Sequence, residues 1–470
     1  MAEYDVIVVG GGISGLLSAL TLSRHGKSVL VLEKDSIVGG NCNSYDVDGF
    51  QVDTGPHAIT HLREGPLRRL MDEYFTYVPV FVDYGHYYVR TEKGLTKIPS
   101  NIKEFVTFDV LPRKDRLLLS QSLTKAITQM TFGMLDAEQP VFDFLPKGLS
   151  KDTYDFVDAI AYFLSGKSMK ETSVHRILYG SSFIRDSVSE DIFDAPRSED
   201  SSGSYTAQIT DRLSKYQFTA HLSTLGRLAT NKVAYAQAYP RGGLKSFLNA
   251  VLYSMPETVK IETNSSVKEI LTENGRVTGV ATDNDSFTSD IVVYTGFVKN
   301  LPSLVDIPSD YAQKLSRIEQ TLSLTIWLGL SEKMKEFDYT GSEVWFRDGA
   351  YWAMPISNYD AFIAPKGKQL IGFTFVIRDK KNIEQEKKKA FELILRAVPG
   401  IESRIEMTHC QVTIPEKAAV TINGYFAGPR SPLADLYLAG TDTDNRSMGV
   451  TRAGYSVLEL LRAMKEDKKL

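Results

Sequence analysis

The spacing of hydrophobic residues changes twice within the first forty positions. A β-branched run at 5–9 predicts a buried strand, which ends in the glycine-rich stretch 10–15. Apolar residues at helical spacing follow over 16–22, and a second apolar run at 29–32 ends on Glu33. This order of strand, glycine turn, helix, strand and acid is typical of a dinucleotide-binding βαβ unit.

The residues of this turn have distinct physical roles in such a unit. Gly10 permits the tight turn, Gly12 lets the backbone approach a pyrophosphate, and Gly15 lets the helix pack close to the sheet. Free N–H groups at the start of the helix face the phosphates. Glu33 can accept hydrogen bonds from both ribose hydroxyls, and an acid there disfavours the 2′-phosphate of NADP.

The rest of the chain alternates between helical and strand patterns. Residues 67–227 have mostly helical spacing, whereas 290–296 predicts a buried strand that ends at a turn. Residues 321–330 and 370–377 are further strand candidates, and 380–398 predicts a highly charged, exposed helix. These segments together predict a mixed sheet that is covered by the earlier helices.

Composition and charge exclude several classes of protein. With 43% apolar and 24% charged residues in a length of 470, the chain is predicted to form two connected globular domains. The net charge of -4 and the lack of a basic stripe argue against binding to nucleic acid. The histidines lack the spacing of metal ligands, so no metal site is expected.

The cysteines and the apolar runs bear on the cellular compartment. Cys42 and Cys410 cannot form a disulfide framework, so a reducing, cytoplasmic compartment is expected. The N-terminus lacks the pattern of a signal peptide, and no apolar run approaches the roughly eighteen residues needed to span a bilayer. Peripheral contact with a membrane surface is compatible with the sequence, because it needs only a partly apolar patch.

Four further motifs follow the first along the chain. After Glu33 come the glycine pair Gly39-Gly40 and the segment Asp53-Thr54-Gly55-Pro56-His57. Residues 239–243 read Tyr-Pro-Arg-Gly-Gly, and residues 438–454 join a strand ending in Ala-Gly-Thr-Asp to the start of a helix. In this order the motifs resemble those of the flavin amine oxidase and phytoene desaturase superfamily of FAD enzymes, and more closely its phytoene desaturase branch.

The resemblance implies a fold class and a division into domains. It implies an α/β protein (a GR2-type flavoprotein) with a Rossmann-like FAD-binding domain and an inserted α+β substrate domain built on a mixed sheet and helices. The FAD-binding domain would comprise residues 1–85, 236–300 and 431–470. The substrate-binding domain would comprise residues 86–235 and 301–430. The cofactor domain is thus expected to be assembled from separated parts of the chain.

The resemblance also implies which residues bind FAD. Binding is expected to be non-covalent, because neither cysteine lies in the C-terminal motif. The sequence departs from the family at Asn41, where Arg is usual, and at Thr441, where an acid is usual and Asp442 comes one position later. The predicted cofactor-binding residues are Gly10, Gly12, Ile13, Ser14, Gly15, Glu33, Lys34, Gly39, Gly40, Asn41, Gly55, Pro56, His57, Val267, Thr295, Gly440, Thr441, Asp442, Gly449 and Val450.

His57 is a candidate for catalysis, and three further residues are candidates for the substrate side of the site. The resemblance places Asp53-Thr54-Gly55, the flavin-side loop, close to the isoalloxazine. His57 is next to this loop, where its ring could shuttle a proton or could merely pack while its backbone lines the flavin. Arg241 could contact a polar end of the substrate or be an exposed turn residue. Tyr351 and Trp352 could line a pocket or belong to the core.

The resemblance implies an FAD-dependent oxidoreductase that transfers a hydride between its substrate and flavin N5. Oxygen, a quinone or another acceptor would reoxidise the flavin. We hypothesise an apolar, isoprenoid or polyene substrate. One alternative is a flavin amine oxidase acting on a primary amine or polyamine. Another is a non-enzymatic relative that binds prenylated proteins, against which the intact Gly10, Gly12, Gly15 and Glu33 argue.

Overall fold

A computed structural model provides the coordinates of the protein. Pro56 and His57 lie outside the residues that the structure describes, so their roles in the cofactor site stay predictions. The described residues are 3–55, 58–63, 65–99, 102–131, 134, 136, 139–180, 237–377 and 379–470.

The chain forms runs of strands and runs of helices. The strands in the described residues are β1 Tyr4–Val9, β2 Val29–Leu32, β3 Ser44–Val47, β4 Phe50–Asp53, β5 Ile59–Thr60, β6 Phe81–Asp83, β7 His86–Thr91, β8 Gly94–Lys97, β9 Gln237–Pro240, β10 Val259–Glu262, β11 Val267–Glu273, β12 Arg276–Thr282, β13 Ser286–Tyr294, β14 Ser323–Leu330, β15 Gly341–Trp345, β16 Tyr351–Met354, β17 Gln369–Val376, β18 Ile405–Thr413 and β19 Leu436–Leu438. The α-helices there are α1 Ile13–Arg24, α2 Pro66–Tyr74, α3 Ile102–Thr107, α4 Arg113–Thr131, α5 Val141–Phe144, α6 Lys151–Ser165, α7 Val174–Gly180, α8 Leu244–Tyr253, α9 Ser309–Ser316, α10 Ile383–Ala397 and α11 Gly449–Glu466.

The first sheet contains the predicted βαβ unit. Strands β10, β2, β1 and β13 lie side by side in that order and run parallel, as does β19, which also pairs with β13. Val6 and Val8 of β1 pack on α1, α2, α8 and α11, whereas Ile7 and Val9 pack on the other face. Successive side chains of a strand point to opposite faces. The continuous apolar run is therefore explained by burial on both sides.

The second sheet is mixed and carries helices on both faces. Its strand order is β18-β14-β17-β16-β15-β7-β8, in which β15 and β7 run parallel and the other pairs run antiparallel. Helices α3 to α7 pack on one face through a core that includes Val89 and Val344. Helix α10 packs on the other face through Leu393 and Ile394, so its charged residues lie on the opposite side.

These two sheets confirm the α/β fold class. The first sheet, which β12 and β11 extend antiparallel beyond β13, draws its strands from three separated parts of the chain, which begin at Tyr4, Val259 and Leu436. The domain boundaries given above stay a prediction. No helix in the described ranges is both long enough and apolar enough to cross a membrane.

Candidate cofactor and active site

The glycine turn between β1 and α1 is closed on one side and open on the other. Gly10 has a φ of +108°, which favours glycine, and its N–H donates to Leu32 O at 2.9 Å. A Cβ at Gly15 would lie 2.0 Å from Gly10 O, so α1 can approach β1 only without a side chain there. A Cβ at Gly12 would meet nothing within 4 Å. The backbone at Gly12 therefore faces free space.

Glu33, the acid that follows β2, is hydrogen-bonded to the same turn. Glu33 is buried, its Oε2 accepts a hydrogen bond from Gly11 N–H at 2.6 Å, and its Oε1 accepts one from Asp35 N–H at 2.9 Å. The second glycine loop joins this cluster, because Gly39 N–H donates to Gly11 O at 2.8 Å. Lys34, by contrast, has an exposed side chain beside Asp35.

Other predicted cofactor residues take their places around this turn. Val267 opens β11 two residues after Ser265, whose N–H donates to Glu33 O at 2.8 Å. Asn41 is exposed, and its Nδ2 donates to Ile414 O at 2.6 Å, which ties the glycine-pair loop to the chain that follows β18.

Thr295, directly after β13, joins the turn to the C-terminal part of the chain. Its hydroxyl lies 3.0 Å from Val9 O and 2.9 Å from Gly10 O. The carbonyl oxygen atoms of Thr295 and Gly296 accept hydrogen bonds from the Lys417 ammonium. Lys417 was missed in the sequence, because no local motif marks a lysine that reaches the site from so far along the chain.

The C-terminal motif places Asp442, rather than Thr441, in the interior. Asp442 Oδ2 accepts a hydrogen bond from Val298 N–H at 2.7 Å, whereas the buried Oδ1 has no partner within the described residues. Burial raises the pKa of Asp442, and the charge of Lys417 opposes this effect. The Thr441 hydroxyl accepts a hydrogen bond from the backbone N–H of Lys417 at 3.0 Å. Asp442 Oδ1 is thus an orphaned acceptor that suits a hydroxyl donor on a ligand.

The start of α11 rests on a cluster of buried charges that the sequence did not reveal. Gly449 N–H donates to Glu416 Oε1 at 2.5 Å, and Glu416 Oε2 lies 3.0 Å from Arg452 Nη1. Arg176 reaches the same place from α7, and its Nη1 donates to Ser447 O at 2.5 Å. Burial and the charge of Arg452 lower the pKa of Arg176, and Glu416 opposes them. The cluster therefore joins the start of α11, where the buried Val450 lies, to helix α7 beside the second sheet.

A buried carboxylate fixes the flavin-side loop predicted at Asp53. Its oxygen atoms accept hydrogen bonds from the hydroxyls of Tyr239 and Ser44, both at 2.6 Å, and from Leu244 N–H at 3.2 Å. Burial raises the pKa of Asp53 to about 6 even though these hydrogen bonds lower it. The loop then turns at Gly55, which has a φ of +85°. Asp53 therefore joins β4, β9 and α8 behind the loop.

Gln411 of β18 is a second residue behind this loop that the sequence did not reveal. Its Oε1 accepts hydrogen bonds from Gly55 N–H and from Trp327 Nε1, each at 3.0 Å. Its Nε2 donates to Asp53 O at 2.8 Å and to the Tyr45 hydroxyl at 2.7 Å. One amide side chain thus ties the loop to the mixed sheet.

Two cavities meet in front of these elements. The cofactor-side cavity, of about 160 Å³, is bordered by Gly55, Glu416 and Gly449. The apolar cavity, of about 200 Å³, extends between helices α4, α6 and α7. The two cavities share four wall residues, which are Tyr87, Phe163, Leu164 and Val344.

The substrate-side candidates separate into two groups. Tyr351 and Trp352 border the cofactor-side cavity, where the Trp352 ring packs on Phe163 with 4.7 Å between ring centroids. The Tyr351 hydroxyl points away and donates to Glu343 at 2.9 Å. Arg241 is exposed and borders a separate surface depression, so the structure does not bring it to the other candidates.

The residues present fit a dinucleotide. Gly12 offers open backbone at the N-terminus of α1, which is the usual place for a pyrophosphate. Glu33 lies beside it as a carboxylate acceptor, and Asp442 supplies the orphaned oxygen. Among the described residues, no group of His, Cys, Asp and Glu could hold a metal ion.

Three relatives share parts of this chain. A protein from Methanothermococcus thermolithotrophicus, described as an uncharacterized protein in the nifH2 3′ region, is 58% identical over 102 residues, 22% of this chain and 98% of that one. The all-trans-retinol 13,14-reductase of Rattus norvegicus is 43% identical over 74 residues, 16% of this chain and 12% of that one. The 1-hydroxycarotenoid 3,4-desaturase of Flavobacterium sp. is 24% identical over 301 residues, 61% of this chain and 55% of that one.

Solved structures share the fold over nearly the whole length. An oxidoreductase from Methanosarcina mazei has a TM-score of 0.74 at 20% identity and covers 97% of this chain, which spans 99% of that one. A putrescine oxidase variant has a TM-score of 0.65 at 14% identity, with 99% of each chain covered. The model of the family described as flavin containing amine oxidoreductase matches residues 13–449. The chain therefore belongs to the flavin-containing amine oxidoreductase family.

Proposed function

We propose that the protein transfers a hydride between an extended apolar substrate, of the isoprenoid or polyene class, and non-covalently bound FAD. The observation that carries this proposal is the apolar cavity, which adjoins the cofactor-side cavity through shared walls. A long hydrocarbon could therefore place one segment beside the cofactor and the remainder between the helices.

The cofactor would be held at the carboxyl ends of the parallel strands β1, β2 and β19. Gly12 and the first N–H groups of α1 would receive the phosphates, and Glu33 would receive the ribose hydroxyls. Asp442 would accept from a hydroxyl through its unpartnered Oδ1. When bound, FAD supplies two-electron redox chemistry. Neither Cys42, which is buried, nor Cys410, on β18, lies in the C-terminal motif, which supports non-covalent binding.

The lining of the apolar cavity supports a hydrocarbon rather than a cation. Among the described residues that border it, none has a charged side chain. Phe105, Leu119, Ile160 and Ile177 are typical members of this lining. Such walls exclude water and would hold a polyene by burial of apolar area, whereas an ammonium ion would lose its hydration without a partner.

The charges on the substrate side bear on the amine oxidase alternative. Glu416 borders the cofactor-side cavity, but its carboxylate already accepts from Gly449 N–H and pairs with the buried Arg452. An ammonium ion could reach only Glu416 Oε2, which accepts no hydrogen bond but lies 3.0 Å from Arg452 Nη1, so the arginine would repel a second cation there. This argument favours the polyene substrate.

Product analysis with FAD-loaded protein tests the proposal. A polyene delivered in detergent micelles is expected to change its number or geometry of double bonds, as seen in its absorption spectrum and by mass spectrometry. A polyamine and an aromatic amine are expected to give no hydrogen peroxide. Peroxide release with either amine, and an unchanged polyene, would overturn the substrate assignment. Flavin that stays attached after the protein is denatured would overturn non-covalent binding.

A further inference from the structure

Lys417 lies beside the glycine turn although it is far from the turn in sequence. Its Nζ donates hydrogen bonds to the carbonyl oxygen atoms of Thr295 and Gly296, the latter at 2.9 Å. Thr295 in turn packs on the turn, with its hydroxyl 2.9 Å from Gly10 O. The ammonium group is therefore at the carboxyl ends of β1 and β13, which is the edge of a parallel sheet where ligands bind.

The same ammonium group borders the C-terminal motif. A Cβ at Gly440 would lie 3.2 Å from Lys417 Nζ and 2.7 Å from Asp442 Oδ1. Yet Asp442 Oδ1 is buried and has no hydrogen-bond partner in the part of the chain that the structure describes. A hydrogen bond from the Lys417 ammonium to Asp442 Oδ1 would give this oxygen a partner. Their separation leaves the ammonium and the carboxylate each available to a ligand that passes Gly440.

The charges around Lys417 indicate what this ligand carries. Burial lowers the pKa of Lys417, and the negative charges of Asp442 and Glu33 oppose this effect. These two carboxylates would repel the negative charges of a pyrophosphate that lies on the glycine turn. An ammonium ion at this place offsets the repulsion, and lysine is a common phosphate ligand.

We propose that Lys417 is a cofactor-binding residue whose ammonium group binds the pyrophosphate of FAD, an assignment that rests on the proposed function. Asn41 supports it indirectly. It stands where the family resemblance leads one to expect Arg, it carries no charge, and its amide donates to Ile414 O at 2.6 Å. Lys417 thus supplies a positive charge near the phosphates from a different part of the chain.

Isothermal titration of the cofactor-free full-length protein with FAD, ADP and adenosine tests this assignment. The variants are Lys417→Met, which removes the charge, Lys417→Arg, which keeps it, and the exposed control Lys366→Met. Lys417→Met is expected to weaken FAD and ADP by about tenfold to a hundredfold, the range for a hydrogen bond to a charged group. Adenosine, which has no phosphate, is expected to bind all variants alike. Lys417→Arg is expected to recover part of the loss.

Thermal unfolding of the cofactor-free variants separates ligand binding from a structural role. Lys417→Met removes two hydrogen bonds to carbonyl oxygen atoms and a countercharge of Asp442, so its midpoint is expected to fall. Equal weakening of ADP and adenosine, or a lowered midpoint with unchanged ADP affinity, would overturn the assignment. A wild-type protein that binds ADP but not FAD would contradict the proposed function. A Lys417→Met variant that binds FAD as tightly as the wild type would contradict this assignment alone.

Discussion

Glu33 and Gly11 are joined by a buried hydrogen bond of 2.6 Å between the carboxylate and the backbone N–H. The acid that ends β2 thereby holds the glycine turn that ends β1. Its other oxygen accepts from Asp35 N–H, so both ends of the carboxylate are engaged before any ligand is present. The residue that is expected to receive the ribose also shapes the turn that is expected to receive the phosphates.

Glu33→Gln tests this double role. The amide has one acceptor oxygen instead of two, so Gly11 N–H or Asp35 N–H loses its partner. We expect the free energy of unfolding of the cofactor-free protein to fall by about 1–3 kcal/mol, the cost of an unsatisfied buried donor. Urea denaturation measures this difference, with the exposed Glu257→Gln as the control. Equal stabilities of Glu33→Gln and the control would refute the structural half of the role.

Gly12 and Gly15 form a matched pair for separating binding from folding. Gly15→Ala would place a Cβ 2.0 Å from Gly10 O, whereas Gly12→Ala would place one in open space. We expect Gly15→Ala to lower the midpoint of thermal unfolding clearly. Gly12→Ala is expected to fold nearly as well as the wild type and to lose FAD affinity by tenfold or more, about 1.4 kcal/mol or above. Tight FAD binding by Gly12→Ala would argue against a phosphate at this turn.

Asp53 is expected to make stability depend on pH. Burial raises its pKa from 3.8 to about 6. The folded protein therefore binds this proton more tightly than the unfolded chain does, so the stabilisation is complete below the unfolded pKa and is lost as the pH rises through about 6. Relative to Asp53→Asn, the free energy of unfolding should fall by up to about 3 kcal/mol between these pH values. Urea titrations of both cofactor-free proteins across this range measure it, and parallel pH profiles would disprove the effect.

The apolar cavity is expected to select substrates by length. Ala126 borders this cavity and is buried, so Ala126→Phe would fill space there. Long polyenes are expected to lose kcat/KM by about tenfold or more, while short ones keep theirs. The exposed Ala361→Phe serves as the control for an added ring. Kinetics with a length series of polyenes give the comparison, and an equal loss for all lengths would argue against a substrate in this cavity.

The sequence predicted the features that are local. The run from Tyr4 to Leu32, its glycine turn and Glu33 follow from periods and spacings within one βαβ unit, and the structure has this unit where it was expected. The fold class followed from the family resemblance that this unit and the later motifs carry. These features depend on residues that are close together in sequence, so the spacing of apolar residues and glycines is enough to predict them.

The features that the sequence did not reveal join distant parts of the chain. Lys417 meets Thr295, and Arg176 meets Ser447, through contacts that depend on how two sheets pack together. Gln411 likewise bonds to Gly55 only because β18 lies behind the flavin-side loop. Side chains of this kind carry no periodic or spacing signal, since each is a single polar residue on an ordinary strand, helix or loop.

The visible absorbance of the flavin under anaerobic conditions tests the central claim most directly. Full-length protein loaded with FAD is mixed with an isoprenoid polyene that has so few conjugated double bonds that it is colourless, once with oxidised flavin and once with chemically reduced flavin. We expect the polyene either to bleach the oxidised bands or to restore them from the reduced state, according to the direction of hydride transfer. Putrescine is expected to do neither. Bleaching by putrescine, with no change in either state on addition of polyenes, would contradict the account.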